Sequence, residues 1–184
     1  MRSLPKSAAA AVACLLGAVA AKGDMTMGLK LTSPSFASGE EIPIAFTCEG
    51  KGASPPLAWS DVPANAKSFA LIADDPDAPD PKAPKRTFVH WVLYNVPPTA
   101  RALPENAHGA LPEGAREGLN DWGQPGWRGP CPPIGKHRYV FKLYALDTML
   151  EALPSATKAT LERAMEGHIV DKTELVGRYE KKHK

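Results

Sequence analysis

A chain of 184 residues, 43% hydrophobic and 23% charged, suits one soluble domain rather than two, and its nineteen prolines and fifteen glycines argue against a bundle of long helices. The formal charge of +2 comes from 22 basic and 20 acidic residues, and Arg2 and Lys6 account for the excess. The other basic side chains are scattered apart from the tail Arg178 to Lys184, so no nucleic-acid footprint is expected.

At the N-terminus, Arg2 and Lys6 precede an uncharged run from Ser7 to Ala21 that is too short to span a bilayer as a helix. Ala18-Val19-Ala20 supplies the small-x-small pattern that a signal peptidase cuts. Residues 1–20 therefore read as a secretory signal, cleaved after Ala20 or Ala21, which predicts an exported protein, periplasmic or secreted, with no transmembrane segment. Cys14 opens a competing reading as a lipoprotein, but the apolar run continues through Leu15 and Leu16, and Ala11 stands where a larger aliphatic is expected. Two cysteines remain after processing, Cys48 and Cys131. They form either a disulfide or two small buried apolar side chains, and the sequence leaves both open.

Residues 27–184 read as a single domain. Its first segments, GLKLTSPSF, EIPIAFTCEG and SPPLAWSDVP, are short apolar stretches punctuated by turn residues and predict strands. Ser68 to Ala73 and Thr87 to Val96 are apolar on both faces, as central strands of a covered sheet should be. In a third such run, Arg138 to Leu146, the two-residue period puts Tyr139, Phe141, Leu143 and Ala145 on one face and Val140, Lys142, Tyr144 and Leu146 on the other. Ser155 to Gly167 carries apolar residues at helical spacing, with Ser155 as the expected cap, and a further helical turn is expected near Asp171 to Leu175. Between Val96 and His137 no periodicity is visible. An irregular connection of about forty residues in a compact domain points to a binding surface.

The residues with chemistry in them gather at strand ends. DDPDAPDPKAP leaves the first central strand, and Pro76 stiffens the backbone between Asp75 and Asp77. His90 lies inside an otherwise apolar strand, while His137 and Tyr139 share one face at the mouth of another, behind the collar GPCPPIGKHRY. Two acids, two imidazoles and a phenol, walled by Pro130, Pro132 and Pro133, would suit a small anion, because imidazoles, a hydroxyl and backbone N–H groups donate to oxyanion oxygens. The aspartates are expected to orient the histidines and raise their proton affinity.

Five motifs in order now carry a resemblance: FTCEGKGASPPLAW, DPDAP, HWVLYN, NDWG and GPCPPIGKHRYVF. From about Leu29 to Tyr179 the chain resembles the phosphatidylethanolamine-binding proteins, in their bacterial Raf-kinase-inhibitor-like (YbhB/YbcL-type) branch. The resemblance implies a mainly β fold, a sandwich of two antiparallel sheets with a few short peripheral helices. It also implies a ligand site at Asp75, Asp77, His90, His137 and Tyr139, with Gly129 and Pro130 on its wall and a cis peptide before Pro79. The implied function is binding of an anion or phospholipid head group, with no cofactor and no catalysis, together with a kinase or protease target and a homodimer. The chain shows no counterpart of the long C-terminal helix of the animal proteins, and Tyr179 is expected to pack as a strand residue.

Two enzymatic readings compete. A metal-dependent hydrolase would use the Asp/His cluster as ligands, although no HExxH or paired CxxC supports it. A serine or cysteine hydrolase would use Ser54 or Cys131, without a GxSxG motif.

Overall fold

The structure, a computed structural model, describes residues 28–182. The expected signal sequence, its cleavage site and Cys14 lie outside the described residues. Nine elements follow in order: β1 (Lys30–Thr32), β2 (Leu57–Ser60), β3 (Ser68–Asp75), β4 (Phe88–Val96), β5 (Ala102–Leu103), β6 (Arg116–Glu117), β7 (Lys136–Leu146), α1 (Lys158–Met165) and β8 (Ile169–Glu180). The strands form two antiparallel sheets, ordered β1-β2-β5 and β6-β4-β3-β7-β8. The mainly β, two-sheet architecture is therefore as expected.

Strand alternation decides what each face of the larger sheet meets. Phe69, Leu71 and Ala73 of β3 point with Phe141, Leu143 and Ala145 of β7 into the core shared with Leu31, Leu57 and Trp59 of the smaller sheet. Ala70 and Ile72 point the opposite way, into a second core closed by Leu161 and Met165 of α1. Every residue of β3 is buried, which explains why a run without polar alternation forms a strand here.

Three expected elements differ. Glu41–Gly50 is not a strand: Pro43, which has no N–H to give a ladder, precedes a single 3-10 turn at Ile44–Phe46. The further helical turn at Asp171–Leu175 is instead part of β8, which pairs with β7 from Lys136–Glu180 to Leu146–Ile169. A continuous ladder overrides the weak local helical preference of that stretch. Ser155 does not cap α1, because its φ of 51° is outside the extended region a cap occupies. Thr157 takes that role, its hydroxyl accepting from Thr160 N while the Thr160 hydroxyl accepts from Thr157 N.

Cys48 and Cys131 are joined in a disulfide with their Cα atoms 5.4 Å apart. It ties the loop after the 3-10 turn to the collar in front of β7. Gly129 is required at the same junction: a Cβ there would overlap the Phe46 carbonyl oxygen and lie 2.9 Å from Thr47 Cα.

Candidate functional site

Three consecutive acids at the end of β3 have three destinations. Asp74 continues the helix-side row of Ala70 and Ile72, and its buried carboxylate receives the ammonium groups of Lys142 and Lys158. Asp75 continues the core-side row. Its Oδ1 accepts from Asp77 N at 2.8 Å, and its Oδ2 lies 2.7 Å from His137 Nδ1. Asp77, beyond the strand, is turned to the edge, where Arg138 holds it through Nε at 2.9 Å and Nη2 at 2.6 Å. That guanidinium keeps the Asp77 carboxyl below the usual carboxylate range.

His90 reaches the same side as Asp75 through an irregularity in β4. The pairing passes from Ala73–Trp91 to Asp74–Val89 and skips His90. This bulge lets neighbouring residues point the same way, so Trp91 enters the sandwich core while His90 lines the space beside it. Strict alternation would have sent His90 toward the helix. Its Nδ1 is anchored on the Arg128 carbonyl oxygen at 2.6 Å, and its ring packs edge-on to Trp122 and Tyr139. Burial holds the imidazole below the usual histidine range, and the hydrogen bond to the Arg128 carbonyl, followed by the carboxylates of Asp75, Asp121 and Asp74, only partly opposes it.

These groups converge on a cavity of about 170 Å³ whose floor is Asp75, His90, His137 and Tyr139. Both ring nitrogens of His137 face acceptors, the Asp75 carboxylate and the Ile134 carbonyl 2.9 Å from Nε2. Tyr139 is 1% exposed, and its hydroxyl has no hydrogen-bond partner. Burial first, then the charges of Asp75 and Asp77, push that phenol far up, so it remains an O–H donor.

Of the seven residues expected in the site, the structure brings together Asp75, His90, His137 and Tyr139. Asp77 does not line the cavity, because Arg138 draws it outward. Gly129 and Pro130 do not line it: Gly129 is packed on Phe46 and Thr47 and lines a neighbouring cavity with Trp122 and Cys131, and the Pro130 carbonyl accepts from Cys48 N. Pro132 and Pro133 do form wall, as does Pro79, which follows a cis peptide from Ala78.

Sequence reasoning missed the rim formed by Arg86, Phe88 and Trp122. Arg86 lies over the Phe88 ring at 4.4 Å, and Trp122 meets the same ring edge-on. Trp122 is placed by Asn120, whose Oδ1 accepts from the Trp122 and Gln124 N–H groups while its amide donates to the Gly126 carbonyl. The NDWG motif was the available signal for this loop, since an Asn that bonds its own following backbone builds a defined turn.

The enzymatic alternatives find little here. Among the described residues no three His, Cys, Asp or Glu side chains gather as a metal-binding group. Ser54 spends its oxygen on Ala107 N, and Cys131 is in the disulfide. Tyr179 is packed within β8, as expected, with its hydroxyl on Glu49.

Fold and site define a class: a two-sheet β protein with a small, polar-floored cavity at the mouths of its central strands. The family model for phosphatidylethanolamine-binding protein matches residues 32–180, and the chain belongs to that family. A UPF0098 protein of Methanothermobacter thermautotrophicus is 48% identical over 153 residues, covering 82% of this chain and 98% of its own. A crystal structure of a phosphatidylethanolamine-binding protein homologue, CT736 of Chlamydia trachomatis, is 44% identical with a TM-score of 0.77, covering 84% of this chain and 98% of that one. The E. coli YbcL structure, described as a new member of the mammalian family, is 35% identical with a TM-score of 0.76 and covers 85% and 100%. The bacterial YbhB/YbcL-type branch fits these matches. Among the described residues no helix is long and apolar enough to cross a membrane.

Proposed function

We propose that the cavity binds a small anionic group of phosphate type, free or as the head group of a larger molecule. One observation carries the reading: the Tyr139 hydroxyl is a buried donor without an acceptor, on a side chain that lines the cavity. Such an orphan is costly unless a ligand completes it. The cation of Arg86 at the mouth favours negative charge on that ligand.

Calorimetric titration with inorganic phosphate tests this. Wild type binds, and Tyr139→Phe binds at least about tenfold more weakly, the loss of one hydrogen bond to a charged group. Equal affinity in the two proteins would remove the hydroxyl from the site.

Export is part of the proposal. The Cys48–Cys131 disulfide supports it, since such bonds persist in oxidising compartments. The intact mass of protein recovered from its own cells checks it: a chain beginning at Ala21 or Lys22 is expected, and one retaining Met1 to Ala20 would sink it.

A further inference from the structure

The anion reading leaves open which oxyanions the floor accepts, and His90 bears on that choice. Its Nδ1 faces the Arg128 carbonyl oxygen, an atom that only accepts, so Nδ1 carries the proton of the neutral ring. Nε2, on the opposite side of the imidazole, has no hydrogen-bond partner among the described residues, and the ring stands in the cavity wall. An imidazole protonated at Nδ1 offers a lone pair at Nε2. Packing against Phe88, Trp122, Trp127 and Tyr139 leaves the ring little water, so conversion to a second donor is disfavoured.

The remaining floor groups sharpen the imbalance. The Tyr139 O–H is a donor without a partner. Both ring nitrogens of His137 are occupied, by Asp75 and Ile134. The Asp75 carboxylate keeps spare lone pairs and adds to the acceptors. A ligand made only of lone pairs would satisfy Tyr139 and meet unpaired electron density at His90 and Asp75.

We infer that His90 makes this cavity selective for an oxyanion that carries its own proton: one ligand oxygen accepts from Tyr139 while a ligand O–H donates to His90 Nε2. The inference rests on the anion reading above and narrows it. Hydrogen phosphate, or a phosphomonoester in its protonated form, fits. Sulfate and phosphodiesters, an intact phospholipid included, present no such hydrogen and are refused.

Three dianions of similar size separate the cases in calorimetry at pH 8. Inorganic phosphate retains a proton there, methyl phosphate has lost its last one at a pKa of about 6, and sulfate has none. Wild type is expected to favour phosphate over both others by at least about tenfold, because an unpaired lone-pair contact rejects the wrong ligand. Dimethyl phosphate, standing for the lipid diester, binds no better than sulfate.

In His90→Gln the side-chain amide can turn its NH₂ to the ligand, and the phosphate-to-sulfate ratio falls to within about threefold. Equal binding of the three dianions by wild type overturns the inference and leaves the anion reading standing. Absence of binding by all of them overturns both. If Gln weakens phosphate and sulfate in parallel, with the wild-type ratio kept, His90 serves only the structure and selectivity is not its work.

Discussion

Tyr139 sets function against stability at a single atom. Its hydroxyl is buried and unpaired in the ligand-free protein, a state that costs roughly 1–3 kcal/mol. The variant expected to lose phosphate, Tyr139→Phe, should therefore be more stable by about 1 kcal/mol, seen as a higher urea midpoint with unchanged slope. A lower midpoint would mean that the hydroxyl has a partner in the folded protein. His90 and Asp77 govern acid stability in two windows. Burial lowers the proton affinity of His90 below the ordinary 6.5, so the unfolded chain takes up that proton first. Its contribution is whole above pH 6.5 and is lost as pH falls below it. Arg138 lowers Asp77 below 3.8, so that contribution is present above 3.8 and disappears only in stronger acid. Urea midpoints measured from pH 8 to 3 should fall in two stages. His90→Gln removes the first stage alone and Asp77→Asn the second. A single stage unaffected by His90→Gln would show that the imidazole keeps its ordinary affinity.

At the scale of strands and loops, the sequence showed the framework better than the turning points. β3, β4 and β7 were legible because a central strand must be apolar on both faces, and their alternation correctly sorted Tyr139, Phe141 and Leu143 from Tyr144 and Leu146. The bulge that turns His90 inward was not legible, since it arises from a register slip between two strands rather than from any local residue pattern. Asp77 was misplaced for a related reason. A stiff DPD loop looks as if it presents both carboxylates together, but Arg138 on the neighbouring strand captures the second one. The disulfide could not be decided from spacing, because closure across a separation of 83 residues depends on tertiary approach. Once present, it restrains the collar whose Cys131, Pro132 and Pro133 form cavity wall. Closing a loop of that length contributes about 4.5 kcal/mol through the unfolded chain. The Cys48→Ser/Cys131→Ser double variant is expected to lose most of that stability, read in urea, and to bind phosphate more weakly because the wall is no longer held. Full affinity in the double variant would show that the prolines alone fix the collar.

Across the whole molecule, the five-stranded sheet separates two cores, and the end of β3 joins each core to a different task. Asp75 faces the sandwich side and the cavity, whereas Asp74, one residue earlier, faces α1 and binds Lys142 of β7 and Lys158 of the helix. The helix layer is thus clamped to the sheet by a fully buried carboxylate beside the site, on the far side of the same backbone. Removing that carboxylate would strand two ammonium groups over the second core, but both lysines are partly exposed and can turn to water. Asp74→Ala should then cost about 3 kcal/mol, the low end for breaking a buried pair, measured as a fall in the urea midpoint. Phosphate affinity of the folded fraction should stay within about twofold of wild type, since no cavity group loses a hydrogen bond and the two carboxylates leave the strand on opposite faces. If affinity falls in step with stability, the backbone of β3 transmits the disturbance from one face to the other, and the clamp is a support of the site as well as of the helix.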